Sequence, residues 1–209
     1  MIDIPPAQPP AKGTVLVLHG WGANSADVEP LARSLRLPRM RYVIPEARVE
    51  VPGTGGVGKG WFTFPVSERS EEERQESIRQ VFDLLDTLSE SGSPPERTVL
   101  MGFSQGASLC LDVAFAYAQP VAGIVSLSGF VIDAGKIREA DSDGLPLQVP
   151  IFAGQGRLDA IVPLEMGKSS FIALREKGFK VEWHEYDSGH HVVVEELEDV
   201  RSFLTRLFS

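Results

Sequence analysis

Short apolar runs recur along the chain, and a longer amphipathic stretch separates each run from the next. The runs are rich in β-branched residues and show no strict alternation of apolar and polar positions, which is typical of strands buried on both faces. Six of them are predicted as strands, at residues 14–18, 41–44, 98–103, 121–127, 149–153 and 181–186.

The stretches between these runs have the spacing of helices. The clearest covers residues 70–90, where Ser70 and Glu73 form a capping-box pattern at the start and Gly92 can close the end. Its apolar positions recur at helical spacing, which places them on one face. The other predicted helices cover residues 26–35, 105–118, 163–177 and 195–207.

The alternation of strands and helices predicts the α/β fold class, with a mostly parallel central sheet and helices on both of its faces. The length of 209 residues suits a single domain that covers residues 1–209. In such sheets, binding and catalytic groups collect at the carboxyl ends of the strands. Reactive side chains are therefore expected among the residues that directly follow each predicted strand.

The charge, the cysteine content and the lack of long apolar runs indicate which partners and which compartment to expect. A net charge of −9 argues against binding to nucleic acid, because an acidic surface repels the phosphate backbone. Cys110 is the one cysteine, so no internal disulfide can form and a reducing compartment is expected. No run approaches the roughly 18 apolar residues of a membrane span, and the Pro-rich residues 1–12 lack the pattern of a signal peptide. We expect a cytoplasmic protein without stable membrane insertion.

The segment Gly102-Phe103-Ser104-Gln105-Gly106 fits the G-x-S-x-G pattern of a nucleophile elbow. It lies between a predicted strand and a predicted helix, which is the context that the pattern requires. A sharp turn between strand and helix strains the backbone of the central residue and exposes its side chain above the sheet. Ser104 is therefore the predicted nucleophile.

Acyl transfer to a serine also needs backbone N–H groups that stabilise the negatively charged oxygen of the tetrahedral intermediate. One donor is expected from Gln105, the residue after the nucleophile. The turn His19-Gly20-Trp21 directly follows the first buried strand and can supply the other, with Trp21 as the candidate. The ring of His19 is expected to brace neighbouring loops rather than to act as the base.

The base must accept the serine proton, and the chain offers four histidines. Hydrolases with this architecture place serine, acid and histidine in that order along the chain, so the base is sought after Ser104. His184 lies inside a predicted strand, whereas His190 and His191 follow just past the carboxyl end of that strand. A loop there can bring an imidazole to the nucleophile, and we favour His190 over its neighbour.

The candidate acid is Asp159, which directly follows a predicted strand and precedes a predicted helix. The acid holds the imidazole in one tautomer and stabilises its charged form. The alternative interpretation is that Asp159 only caps the helix that follows it. Asp187 is too near His190 in sequence to approach it from a different strand, and Asp133 is expected in a surface excursion.

A glycine-rich segment at residues 53–58 matches the dinucleotide-binding pattern G-x-G-x-x-G, and residues 53–59 nearly match a phosphate-binding loop. Gly60 stands where that loop needs a hydroxyl, and no helix start follows, so no nucleotide site is predicted. No spacing of metal ligands is present, and neither a metal nor a cofactor is expected. The aromatic residues Trp61 and Phe62 either flank an acyl pocket or belong to the core.

These motifs resemble the phospholipase/carboxylesterase family, which includes the acyl-protein thioesterases. The resemblance covers nearly the whole chain, and the matching segments fall in the same order: residues 18–22, 60–62, 102–106, 159–163 and 189–190. It implies a compact α/β-hydrolase without a large cap domain. It also implies Ser104, Asp159 and His190 as the catalytic triad, with Trp21 and Gln105 as backbone donors.

The expected activity is hydrolysis of short- to medium-chain carboxylic esters through an acyl-enzyme. The resemblance leaves open an acyl-protein thioesterase or a lysophospholipase that acts on longer chains. A non-catalytic binding protein on a hydrolase fold is the alternative from another class. The expected partner is a small-molecule ester bound by Trp61, Phe62 and Ile161, and the expected assembly is a monomer or a homodimer.

Overall fold

A central seven-stranded sheet organises the chain, and a computed structural model describes residues 1–64, 67–133 and 149–209 of it. The strands are β1 (Ile2–Ile4), β2 (Gly13–Leu18), β3 (Met40–Ile44), β4 (Val49–Glu50), β5 (Lys59–Gly60), β6 (Thr98–Phe103), β7 (Gly123–Leu127), β8 (Ile151–Gly156) and β9 (Val181–Tyr186). The helices are α1 (Ser25–Ser34), α2 (Glu68–Glu90), α3 (Gln105–Ala116), α4 (Leu164–Glu176) and α5 (Val194–Leu207), with a short 3-10 turn at Pro95–Arg97.

The sheet has the strand order β1-β3-β2-β6-β7-β8-β9, and all neighbours are parallel except β1 and β3. The predicted α/β-hydrolase fold and its six strands are therefore confirmed. The predicted burial is wrong for β9, which lies at the edge of the sheet and has one buried residue, Tyr186. β1 was not predicted, because its three residues lie in a Pro-rich segment and carry too short an apolar pattern. The small β4–β5 sheet was also missed, since each of its strands has two residues.

Two apolar cores lie on opposite faces of the sheet. Successive residues of a strand point to opposite faces and so pack alternately into one core and the other. Leu16 and Leu18 of β2 pack with residues of α2, α3 and α4, whereas Val15 and Val17 pack with residues of α1 and α5. Every residue of β2 is buried, which explains why its sequence is continuously apolar rather than alternating. No large cap domain is present among the described residues.

The start of α2 differs from its prediction. The helix begins at Glu68 with Ser67 as N-cap, and the reciprocal hydrogen bonds of the capping box join Ser67 to Ser70. Glu73, the predicted partner of Ser70, instead accepts a hydrogen bond of 2.7 Å from the amide of Thr63. The predicted N-cap, Ser70, thus lies three residues after the true N-cap, Ser67. The prediction missed this because Ser70 itself takes the N3 position, where the pattern usually has Glu or Gln.

The register of the sheet brings four connections to the same edge, those that follow β2, β6, β8 and β9. Leu18 at the end of β2 lies beside Gly102 of β6, so the turn after β2 and the turn after β6 leave the sheet together. Gly156 at the end of β8 lies beside Tyr186 at the end of β9. The loops that follow β6, β8 and β9 carry the three predicted catalytic side chains. No helix in the described part of the chain is long and apolar enough to cross a membrane.

Candidate active site

Ser104 occupies the turn between β6 and α3 with backbone angles φ 55° and ψ −118°. A residue with a side chain rarely adopts a positive φ, and such strain persists only where the surrounding structure enforces it. The amide of Ser104 donates to the carbonyl of Leu127 on β7 at 2.8 Å, which ties the turn to the neighbouring strand. The predicted sharp turn between strand and helix is present.

The two glycines of the motif are required by close backbone contacts. A Cβ atom on Gly102 would lie closer than 3.0 Å to the backbone of Gly106, where α3 starts. A Cβ atom on Gly106 would lie equally close to the carbonyl groups of Leu18 and His19 at the end of β2. The turn can therefore pack against β2 only because neither position has a side chain.

His190 reaches Ser104 from the loop between β9 and α5. Its Nε2 atom lies 3.0 Å from Ser104 Oγ, within hydrogen-bond distance. The imidazole packs against the ring of Phe103, with centroids 4.8 Å apart, which limits its movement over the turn. His191 is exposed to solvent. Of the two adjacent histidines, the structure brings His190 to the serine, as the sequence favoured.

Asp159 lies behind His190 and binds its other ring nitrogen, with 2.7 Å between Oδ2 and Nδ1. Its Oδ1 atom accepts hydrogen bonds of 2.9 Å from the amides of Ile161 and Val162. Burial raises the pKa of the Asp159 carboxyl, but the hydrogen bonds from His190, Val162 and Ile161 outweigh burial and hold the pKa below its usual value. The carboxyl is thus kept ionised, and it both orders its own loop and contacts the histidine.

The turn after β2 packs directly against Ser104. A Cβ atom on Gly20 would lie 3.5 Å from the Cβ of Ser104. His19 is fully buried, donates from Nδ1 to the carbonyl of Gly20 at 2.9 Å and accepts the amide of Ala47 at 3.2 Å. Burial lowers the pKa of the His19 ring, so the ring stays neutral and braces the turn.

The two predicted oxyanion donors, Trp21 and Gln105, flank Ser104 at the wall of one cavity. Neither backbone N–H donates a hydrogen bond to a group within residues 1–64, 67–133 and 149–209. An unoccupied N–H group beside a nucleophile can stabilise charge that develops on a bound carbonyl oxygen. Their role as donors stays a prediction, because it depends on where a substrate oxygen lies.

The side chain of Gln105 joins the aromatic segment after β5 to the turn that carries Ser104. Its Oε1 atom accepts the amide of Trp61 at 2.7 Å, and its Nε2 atom donates to the carbonyl of Phe62 at 2.6 Å. Trp61 is fully buried, and its indole N–H donates to the carbonyl of His19 at 2.8 Å. Trp61 is therefore a core residue in this structure, and it does not belong to the cavity wall.

The cavity in front of Ser104 has a volume of about 320 Å³ and a mostly apolar lining. Phe62 forms part of its wall, and the exposed side chain of Ile161 lies at its rim. Of the three predicted substrate contacts, the structure thus brings Phe62 and Ile161 to the cavity. The remaining lining residues are Trp21, Phe64, Ser104, Gln105, Ser108, Phe130, Val162 and Met166.

A family model described as Phospholipase/Carboxylesterase matches residues 2–208 of this sequence. The chain belongs to the phospholipase/carboxylesterase family. The resemblance found in the motifs is confirmed, and so is the α/β-hydrolase fold that it implied.

Similar members of the phospholipase/carboxylesterase family include both thioesterases and esterases. The chain is 30% identical to acyl-protein thioesterase 1 of Gibberella zeae, over 96% of this chain and 93% of that protein. It is 27% identical to carboxylesterase SOBER1 of Arabidopsis thaliana, over 94% and 91% of the two chains. The crystal structure of esterase PE8 superposes with a TM-score of 0.85 at 26% identity, over 99% of this chain and 97% of that one.

Two functional candidates in this member of the phospholipase/carboxylesterase family were not found from sequence. They are the side chain of Gln105, which was considered only for its amide, and Gln155, which donates to Asp159 Oδ2 at 3.0 Å. A buried glutamine four residues before the acid is a weak signal, because it shows no pattern until its partners are known. In the described part of the chain, no group of three or more His, Cys, Asp or Glu residues could hold a metal.

Proposed function

We propose that this hydrolase is a carboxylesterase that cleaves short- to medium-chain carboxylic esters through an acyl-enzyme on Ser104. The observation that carries the proposal is the continuous hydrogen-bond chain from Ser104 through His190 to Asp159, with distances of 3.0 and 2.7 Å. A serine hydroxyl needs such a base to become nucleophilic, and the base needs an orienting acid.

In the proposed reaction, Ser104 Oγ attacks the ester carbonyl carbon while His190 Nε2 accepts the hydroxyl proton. The negatively charged oxygen of the tetrahedral intermediate is stabilised by the amides of Trp21 and Gln105. The C–O bond to the alcohol then breaks, and His190 returns the proton to the leaving alkoxide. Water attacks the acyl-enzyme with His190 again as base, which releases the acid and restores the serine.

The size of the cavity supports the preference for shorter acyl chains. Its volume of about 320 Å³ lies at the small end of the range for ligand pockets, roughly 300–1,000 Å³. Phe62 and Ile161 are the proposed contacts for the acyl group, while Trp61 acts through the core beneath them. The proposed substrate is a small-molecule ester, and the monomeric or homodimeric state and the cytoplasmic location stay predictions.

A second candidate function is hydrolysis of thioesters or lysophospholipids with longer chains. The exposed apolar side chains of Ile161, Met166 and Phe64 at the cavity rim favour it, because they can cover a chain that extends beyond the pocket. Relatives named acyl-protein thioesterase support this candidate about equally with the first. A panel of p-nitrophenyl esters from butyrate to palmitate, beside a palmitoyl thioester, separates the two by their kcat/KM values.

The decisive experiment compares the wild type with Ser104→Ala on p-nitrophenyl butyrate. We expect the variant to lose at least about 10⁴-fold in kcat, because it lacks the nucleophile. Ser202→Ala, which removes an exposed hydroxyl on α5, is the matched control and should retain activity. A fluorophosphonate probe should label the wild type and not Ser104→Ala. Full activity of Ser104→Ala would refute the nucleophile, and absence of labelling on the folded wild type would favour a non-catalytic binding protein.

A further inference from the structure

Gln155 is a fully buried polar side chain beside the candidate acid. It lies near the end of β8, one residue before the strand gives way to the loop that carries Asp159. A buried polar group costs stability unless it is hydrogen-bonded, so its partners indicate why a glutamine stands there. Both hydrogen bonds of its side chain go to that loop.

The amide nitrogen of Gln155 joins the two ends of the acid loop. Nε2 donates to Asp159 Oδ2 at 3.0 Å and to the carbonyl of Val162 at 2.7 Å. An NH₂ group has two hydrogens, so both are used within this short segment. One buried amide group thus holds both the Asp159 carboxylate and the backbone of Val162.

The carboxylate of Asp159 is fully buried and receives hydrogen bonds on both of its oxygens. Oδ1 accepts the amides of Ile161 and Val162, while Oδ2 accepts His190 Nδ1 and Gln155 Nε2. Without Gln155, the amides would still hold Oδ1, but Oδ2 would have one donor and more freedom to rotate. Gln155 thus restricts the oxygen that orients His190.

The orientation of the Gln155 amide follows from its surroundings. Its Oε1 atom is buried and has no hydrogen-bond partner among the described residues, which is unfavourable. The reversed orientation would place Oε1 against the carboxylate oxygen of Asp159 and the carbonyl of Val162, where two acceptors would repel it. A Cβ atom on Gly167 of α4 would lie 3.0 Å from Oε1, so the helix also packs closely against it.

We propose that Gln155 is a positioning residue, which holds Asp159 Oδ2 in the direction of His190 Nδ1. The proposal rests on the proposed function, in which Asp159 orients the catalytic base. It assigns to Gln155 an effect on the rate of the chemical step and none on substrate binding, because Gln155 is buried behind Asp159 and does not line the cavity.

The test uses Gln155→Met, which keeps the length of the side chain and removes both the donor and the unpartnered oxygen. We expect kcat on p-nitrophenyl butyrate to fall by about 10- to 100-fold with KM unchanged, as for the loss of other groups that orient a catalytic ligand or base. The low-field proton resonance of His190 Nδ1–H should shift or broaden. The matched control is Gln80→Met, since Gln80 also donates to a backbone carbonyl and has a buried, unpartnered Oε1, but contacts none of the three catalytic candidates.

The outcomes separate positioning from a structural role. Unchanged kcat in folded Gln155→Met overturns the proposal, and so does a fall in kcat that the Gln80→Met control reproduces. If Gln155→Met does not fold, Gln155→Glu provides the test, because it keeps the shape and places a carboxylate beside Asp159. That variant should lose kcat at alkaline pH with KM unchanged, and retention of wild-type kcat overturns the proposal.

Failure of the proposed function gives a different result. In that case the wild type itself neither hydrolyses the ester nor reacts with fluorophosphonate.

Discussion

The loop that carries Ser104 and the loop that carries Asp159 lie at the same edge of the sheet, but different interactions hold them. The Ser104 turn is fixed by backbone contacts that only Gly102 and Gly106 allow. The Asp159 loop is fixed by hydrogen bonds. Gln155 donates to Asp159 and to the carbonyl of Val162, and the amides of Ile161 and Val162 donate to Asp159.

This difference predicts how each loop responds to substitution. A steric constraint on the backbone admits no gradual change, so adding a side chain at Gly102 or Gly106 should damage the fold itself. A hydrogen-bonded loop can lose one donor or one charge and keep its path, so altering the acid loop should change the rate while the protein stays folded.

The largest expected effect is on catalysis, from Asp159→Asn in the hydrogen-bonded loop. The asparagine can still accept the amides of Ile161 and Val162 through its oxygen, so these two bonds keep the path of the loop although the bond from Gln155 is lost. Its NH₂ group would face His190 Nδ1 and favour the tautomer that cannot accept the serine proton, which lowers kcat by about 10³- to 10⁴-fold. Steady-state kinetics measure the loss, and circular dichroism checks the fold. Retention of wild-type kcat would contradict the assignment of the acid.

The next effect is on stability, from Gly106→Ala in the serine turn. The added methyl group would overlap the carbonyls of Leu18 and His19, and we expect a loss of about 3 kcal/mol in the free energy of unfolding. Gly189→Ala in the His190 loop is the matched control, because its Cβ would meet no atom closer than 3.7 Å. Urea denaturation of both variants measures the difference. Equal stability of the two would refute the steric constraint on the serine turn.

The smallest expected effect is a dependence of stability on pH from Glu196, whose carboxyl lies beneath β8 against Gly154. Burial is the main cause that raises the pKa of this carboxyl to about 7, from a usual 4.5, and the nearby Asp199 adds to it. The folded protein therefore holds this proton more tightly than the unfolded chain does. The associated stability is fully present below about pH 4.5 and is lost as the pH rises through about 7.

Glu196→Gln should remove this dependence. Above about pH 7 we expect the variant to be more stable than the wild type by about 2 kcal/mol, since the shift sets an upper limit of about 3 kcal/mol. Near pH 4.5 the two proteins should have similar stability. Urea denaturation at about pH 5 and about pH 8 makes the comparison. If the difference in stability between the wild type and Glu196→Gln is the same at both pH values, the Glu196 carboxyl is not held protonated by burial.

Much of the candidate site could be predicted because its parts are encoded locally. The elbow motif needs only adjacent residues, since the strand, the two glycines and the helix start lie within a short segment. The order of Ser104, Asp159 and His190, each just past a predicted strand, then placed the three at one sheet edge. The alternative that Asp159 caps the following helix is wrong, because α4 begins at Leu164 with Pro163 as N-cap and has no side-chain cap. Asp159 Oδ1 instead accepts amides of the loop before α4, while Oδ2 binds His190.

Residue order alone indicates the alternation of strands and helices, the elbow and the residue types available for catalysis, because these depend on neighbouring residues and on hydrophobic period. The folded protein was needed to show that Trp61 is core, that Gln105 binds the aromatic segment and that Gln155 donates to Asp159. Those roles depend on side-chain hydrogen bonds and on packing between separate elements, as with Gln105 and Trp61, which are 44 positions apart in the chain. Such contacts leave no periodic signal, since many polar side chains could make them and only the fold selects which ones meet.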